Sequence, residues 1–183
     1  QKEDFKFTRK GSVVAVGYYV TKTTRQLEYL QENYPVEYVE IQAKKLLIEN
    51  GFQQEINRVS EKINQNLEKD QVVVVYTSRQ LIKGKDAEES LQIVNRISAG
   101  MVEAMSGISN RPKFFIAKGG ITSSDIVTKS FGVKKAKVLG QVIPGVPVWQ
   151  LNDCQQFPGL VYMPFPGNLG GDDAVLKAIQ KFI

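Results

Sequence analysis

Histidine is absent from all 183 residues. That excludes His-based catalytic triads, imidazole general bases and most zinc chemistry. Cysteine occurs once, as Cys154, so an internal disulfide and any multi-cysteine metal site are excluded as well. It sits in a polar, turn-rich stretch with no histidine to activate it and reads as incidental. Long apolar runs are missing too. The longest strand-like one is Val72 to Tyr76, far short of the roughly 20 residues a membrane helix needs, and no membrane partner is expected. The chain opens Gln-Lys-Glu-Asp, without methionine and without an apolar leader, which leads us to expect a piece of a longer cytoplasmic protein. Whatever catalysis is present must rest on Asp, Glu, Lys, backbone amides or a bound metal.

Charge of one sign is only mildly in excess. Lys and Arg number 24 against 19 Asp and Glu, a net +5. The basic residues are scattered along expected helices, without the aromatic-basic stripe of a nucleic-acid surface. An anionic small molecule suits this balance better than nucleic acid. The lone Trp149 lies near a turn, where a core role and an adenine platform both stand open.

What the sequence does contain is a regular alternation of strand and helix patterns. Ser12 to Gly17 reads as a short buried strand, Thr21 to Glu32 as a helix, and Val36 to Ile41 as a strand leading to a short helix through Leu46 and Leu47. Gly51 breaks that helix. Phe52, Ile56, Val59, Ile63 and Leu67 then recur at spacings of three and four, the stripe of a long amphipathic helix. Val72 to Val75 is a buried strand. Asp86 to Ser106 is a second long helix, with Leu91, Val94, Ile97, Met101 and Met105 expected to face the core. Phe114 to Ala117 reads as a strand and Thr122 to Phe131 as a helix. Beyond Ala136 the pattern becomes strand, turn, strand, with turns at Pro144-Gly145 and Pro158-Gly159. A last strand near Leu160 to Met163 precedes a closing helix carrying Val175, Ala178, Ile179 and Phe182. We expect one α/β domain over residues 1–183, with a polar lead-in over 1–10. Its layers should be α/β/α around a largely parallel sheet with glycine-rich strand-to-helix loops.

The glycines fall at matching places. Gly17, Gly119-Gly120, and Gly167 with Gly170-Gly171 each follow a strand and precede a helix. In open α/β sheets ligands sit beyond the carboxyl ends of the strands. Glycine there lets amides approach an anion, and the helix behind it adds unpaired donors. Turn geometry alone would also favour glycine at each place, and no Walker-type lysine motif decides between the two. Thr122-Ser123-Ser124-Asp125 has capping-box spacing, which would make Asp125 structural and leave Thr122 either a cap or a phosphate contact. Asp172 and Asp173 read as caps of the last helix, with a Mg²⁺ role as the alternative. Lys118 points from a strand end toward the same loops.

At these loops the sequence resembles the four-carbon acid sugar kinase family, once known only as a domain of unknown function. Ala117 to Asp125 (Ala-Lys-Gly-Gly-Ile-Thr-Ser-Ser-Asp) is similar to its Gly-Gly-x-Thr-Ser segment, and Leu139 to Trp149 to its Pro-Gly-Val-Pro stretch. Phe165 to Asp172 is similar to its Gly-Asn-x-Gly-Gly signature. Val13 to Gly17 with Lys22 to Leu27 looks like the opening of its nucleotide-binding domain. The resemblance runs in order from about Gly11 to the end. It implies the C-terminal, nucleotide-binding half of a two-domain kinase using ATP and Mg²⁺. A separate N-terminal domain would hold a four-carbon acid such as threonate, erythronate or an oxo-tetronate. Carried over, the nucleotide contacts are Gly17, Tyr18, Gly119, Gly120, Ile121, Thr122, Gly167, Asn168 and Gly170. The resemblance assigns no catalytic base or metal ligand on this chain, and it leaves a homodimer open. The family usually has Gly-Ser where this chain has Gly17-Tyr18, so the serine hydroxyl contact is missing. A domain that keeps the fold without catalysis, and a partner-binding α/β module, are the alternative readings.

Overall fold

The computed structural model describes residues 11–17 and 19–183. Seven strands form one sheet in the order β2-β3-β1-β4-β7-β6-β5. They are β1 (Ser12–Val16), β2 (Glu37–Ile41), β3 (Val72–Thr77), β4 (Phe114–Lys118), β5 (Lys137–Ile143), β6 (Val146–Leu151) and β7 (Leu160–Phe165). The first five in that spatial order run parallel, and β6 pairs antiparallel with both β7 and β5. The expected layered α/β fold with a largely parallel sheet is what forms.

Alternate residues of each strand feed two separate cores, as the two-residue period of a strand requires. Val14, Val16, Val74, Ile116, Met163 and Phe165 pack against α1 (Thr21–Asn33) and α6 (Ala174–Gln180) on one face. On the other, Val13, Ala15, Val73, Val75, Phe115 and Tyr162 pack against α2 (Ala43–Leu46), α3 (Gly51–Glu68) and α4 (Ala87–Ser106). The segment α5 (Gly120–Asp125), which runs on as a π-helical turn over Ile126–Ser130, lies on this second face. The α3 stripe is buried as its spacing predicts. Asp86 caps α4, its carboxylate accepting from Glu89 N–H at 2.8 Å.

Three local expectations are corrected. Leu91 is 60% exposed. Six residues before the buried Ile97, it lies about 120° around the helix from it, and Ile93 packs against the core in its place. The helix after β4 starts at Gly120, two residues earlier than its composition suggests, and widens into the π turn. Cys154 is a core residue, 1% exposed, whose Sγ accepts from Phe157 N–H at 3.3 Å.

Candidate functional site

Topology decides where a ligand can enter. The chain leaving β1 passes through α1 toward β2 at one edge, whereas the chain leaving β4 passes through α5 toward β5 at the other. β1 and β4 are neighbours, so the connections diverge between them. Such a switch point opens a crevice at the carboxyl ends of the strands. β7 is the next neighbour of β4. The three glycine loops therefore leave three adjacent strands, side by side.

Their contacts are direct. Gly17 N–H donates to Lys118 O at 2.9 Å, and Gly119 N–H donates to Phe165 O at 2.9 Å. A Cβ on Gly17 would overlap the Thr122 hydroxyl, and one on Gly167 would lie 3.8 Å from Gly119 Cα. Gly119 has φ +120°, a backbone that a side chain tolerates poorly. It turns the chain into α5, whose first amides, from Gly120, Ile121 and Thr122, have no partner within the helix. Gly120 has an ordinary helical backbone with open space where a Cβ would stand, and Ile121 is 71% exposed. Gly17, Gly119, Thr122 and Gly167 are thus brought together, with Gly120 and Ile121 open beside them. Asn168 lies on the same loop as Gly167. Gly170 is turned away from this cluster, against Ala174 and Gln26. Tyr18 lies outside the described residues.

The acidic residues have other partners than expected. Gly119, not Thr122, occupies the N-cap of α5, so the capping box does not form, and Asp125 pairs with Lys129 at 3.0 Å. Asp173 precedes α6 without a side-chain cap and pairs with Lys177 at 2.7 Å, and Asp172 pairs with Arg25 at 2.8 Å. Among the described residues no group of three acid, histidine or cysteine side chains could hold a metal.

The β7–α6 loop is held instead by donors from α1, through residues whose role the sequence hid. Thr23 Oγ1 donates to Gly167 O at 3.0 Å, Lys22 Nζ to Asn168 O at 3.2 Å, and Gln26 Nε2 to Leu169 O and Gly171 O at 2.9 and 2.8 Å. Thr23 and Gln26 are buried polar residues three apart, on the side of α1 that carries Leu27 and Leu30. That mixed stripe was the available signal. Arg79, after β3, donates to Gly17 O at 2.7 Å and has no counterpart among the expected site residues.

Lys118 is fully buried at the end of β4. Its ammonium donates to Pro166 O and, at 3.1 Å, to Gly167 O, and lies 4.3 Å from the centre of the Phe165 ring. Burial, with the nearby charge of Lys22, pulls its pKa down to about 8. Beside α5, a cleft of about 400 Å³ is lined by Ser123, Val127, Val138, Trp149 and Pro164. Trp149 stacks on Tyr162 at 6.2 Å while also lining this cleft.

Comparison with known proteins finds the same fold. A domain of unknown function from Bordetella bronchiseptica, solved with bound citrate as a domain-swapped dimer, superposes with TM-score 0.72 at 16% identity, over 95% of this chain and 41% of that one. A putative tRNA synthase from Salmonella typhimurium gives TM-score 0.75 at 14% identity, over 97% and 42%. A Haemophilus influenzae protein gives 0.66 at 22%, over 95% and 40%. These likenesses establish the fold, and the chain spans about two fifths of each of those proteins. No curated protein matches the sequence. Among the described residues no helix is long and apolar enough to cross a membrane. The model of the nucleotide-binding C-terminal domain family matches residues 13–175, and the chain belongs to that family.

Proposed function

We propose that the crevice between β1, β4 and β7 binds ATP or ADP with Mg²⁺, and that in the longer protein this domain serves a kinase. Its acceptor would be a four-carbon acid sugar of the threonate, erythronate or oxo-tetronate type. The observation that carries the nucleotide reading is the meeting of Gly17, Gly119, Thr122 and Gly167 at the switch point. Glycine there would leave the first amides of α5 open to an anion without side chains between them, and phosphoryl transfer depends mainly on such positioning and charge stabilisation. The kinase and its acceptor rest on the ordered motif resemblance alone.

In this reading the amides of Gly120, Ile121 and Thr122, and those after Gly167, hold phosphate. The cleft lined by Val127, Val138 and Trp149, one helical turn along, has room for the base. Asp125, Asp172 and Asp173 are each engaged by a cation, so this domain offers Mg²⁺ little. The ion would arrive on the nucleotide phosphates, as Mg²⁺ commonly does. The acceptor and the base that deprotonates it fall to the other domain. The second reading, binding without catalysis, is favoured by one feature, Tyr18 in the place of serine.

Thermal unfolding with millimolar MgADP and MgATP tests the nucleotide reading. Ligand at a hundred times Kd adds about 2.7 kcal/mol, and about 2–4 °C follows per kcal/mol at this size. A shift of several degrees is expected. No shift and no heat of binding would contradict the reading.

A further inference from the structure

The ammonium of Lys118 lies beneath the point where the three loops meet, and no carboxylate pairs with it among the described residues. Its contacts are two consecutive backbone carbonyls, those of Pro166 and Gly167. In a trans peptide the carbonyl and the following N–H point in opposite directions. Drawing these two carbonyls inward therefore turns the amides of Gly167 and Asn168 outward. Those two amides have no hydrogen-bond acceptor among the described residues, while the carbonyls around them are taken, those of Pro166 and Gly167 by Lys118, that of Gly167 also by Thr23, and that of Asn168 by Lys22. A loop with its acceptors filled and its donors free is a receptor for an anion.

We propose that Lys118 is the positioning residue of this site: its buried ammonium sets the β7–α6 loop with amides outward, and a bound phosphate group supplies the counter-charge that the ammonium lacks. The inference rests on the nucleotide reading. Lys118 does not touch the ligand; it acts through the loop and through its charge. Lys22, which is exposed, and Arg79, which is half-buried, are the other cations near it, and the Arg25–Asp172 pair lies farther along.

A proton count on binding separates this from a purely structural role. With the ammonium pulled down to about 8 by burial, part of the population is neutral at pH 8.5, and a bound anion restores the charge. MgADP binding, measured calorimetrically at pH 8.5 in buffers of different ionisation heat, should take up a proton. Affinity should fall about tenfold between pH 7.5 and 9.5, one pKa unit corresponding to a factor of ten. Lys118→Met, similar in length and apolar, should bind MgADP at least about tenfold more weakly at pH 7.5, without proton uptake and without the pH dependence. If that variant does not fold, the wild-type proton count decides alone. Wild-type binding with no proton uptake and no pH dependence would overturn the proposal, as would a folded Lys118→Met of unchanged affinity. Absence of MgADP binding to the wild type at either pH would overturn the nucleotide reading itself, and this inference with it.

Discussion

Gly17 and Thr122 touch across the switch point so closely that a Cβ on the glycine would occupy the position of the threonine hydroxyl. β1 and β4 thereby close one wall of the crevice with backbone on one side and a single side chain on the other. Gly17→Ala should cost about 1–3 kcal/mol, the usual penalty for overpacking. Thr122→Ala in the same chain should return part of that loss, because the contacting hydroxyl is gone. Urea unfolding of the two single variants and the double variant measures the coupling. Strict additivity would show that the two residues do not meet as described.

Lys118 makes a second prediction, for the ligand-free protein. Its folded pKa of about 8 lies below the ordinary lysine value of 10.5, so between those values the unfolded chain binds the extra proton. Stability then rises with pH across that window. Between pH 8 and 10 the gain from this residue should be on the order of 2 kcal/mol. It is absent below pH 8, where both states are charged. Denaturant titrations of wild type and Lys118→Met at pH 7, 8, 9 and 10 check the sign. Equal slopes for the two proteins would refute the assignment.

Glu55 supplies a control far from the crevice. It is 1% exposed, accepts from Gln42 N–H at 2.7 Å and forms an ion pair with Arg58 at 2.7 Å. Burial pushes its pKa up, but the Arg58 and Gln42 hydrogen bonds and the charges of Arg58 and Lys45 outweigh it and hold the carboxyl low. Its contribution is therefore present above the ordinary carboxylate range and lost as pH falls through the lowered value. Glu55→Ala should destabilise by about 3–5 kcal/mol, the cost of breaking a buried pair, and leave MgADP affinity of the folded fraction unchanged. A selective loss of affinity would extend the site to α3.

Alone, the domain should not phosphorylate threonate or erythronate, because the acceptor has no positioned site on it. A coupled assay for ADP release, with and without each acid, reads this directly. Acid-dependent turnover by the isolated chain would place the acceptor site here instead.

The layered fold was legible because Val72 to Val75 and the α3 stripe carry unmixed periodicities and glycine marks the strand ends. Loop geometry was less so. Thr122-Ser123-Ser124-Asp125 satisfies the capping-box pattern, but Gly119 can adopt φ +120° and starts the helix earlier, a freedom composition does not encode. The site residues near Gly17 and Gly119 were visible through their glycines. Arg79, Thr23 and Gln26 were not, because each acts on a carbonyl of another loop, those of Gly17, Gly167 and Leu169, 62, 144 and 143 residues away. Lys118 was seen to point toward the loops, but not its bonds to Pro166 and Gly167, 48 and 49 residues away. Long-range pairing to backbone leaves no residue-type signature in the accepting loop, and on α1 only the polar residues within its apolar stripe mark it.

Gly120 offers the most direct test of the nucleotide account. The sequence left room for strain at this position, but its backbone is helical and nothing lies within 4 Å of where a Cβ would stand. Valine there should change stability by less than about 1 kcal/mol, since glycine is itself a poor helix residue. Its branched side chain would fill the space in front of the α5 amides. The account predicts that Gly120→Val unfolds at nearly the wild-type temperature and has lost measurable MgADP binding by calorimetry. A well-folded Gly120→Val that binds MgADP with wild-type affinity would contradict it.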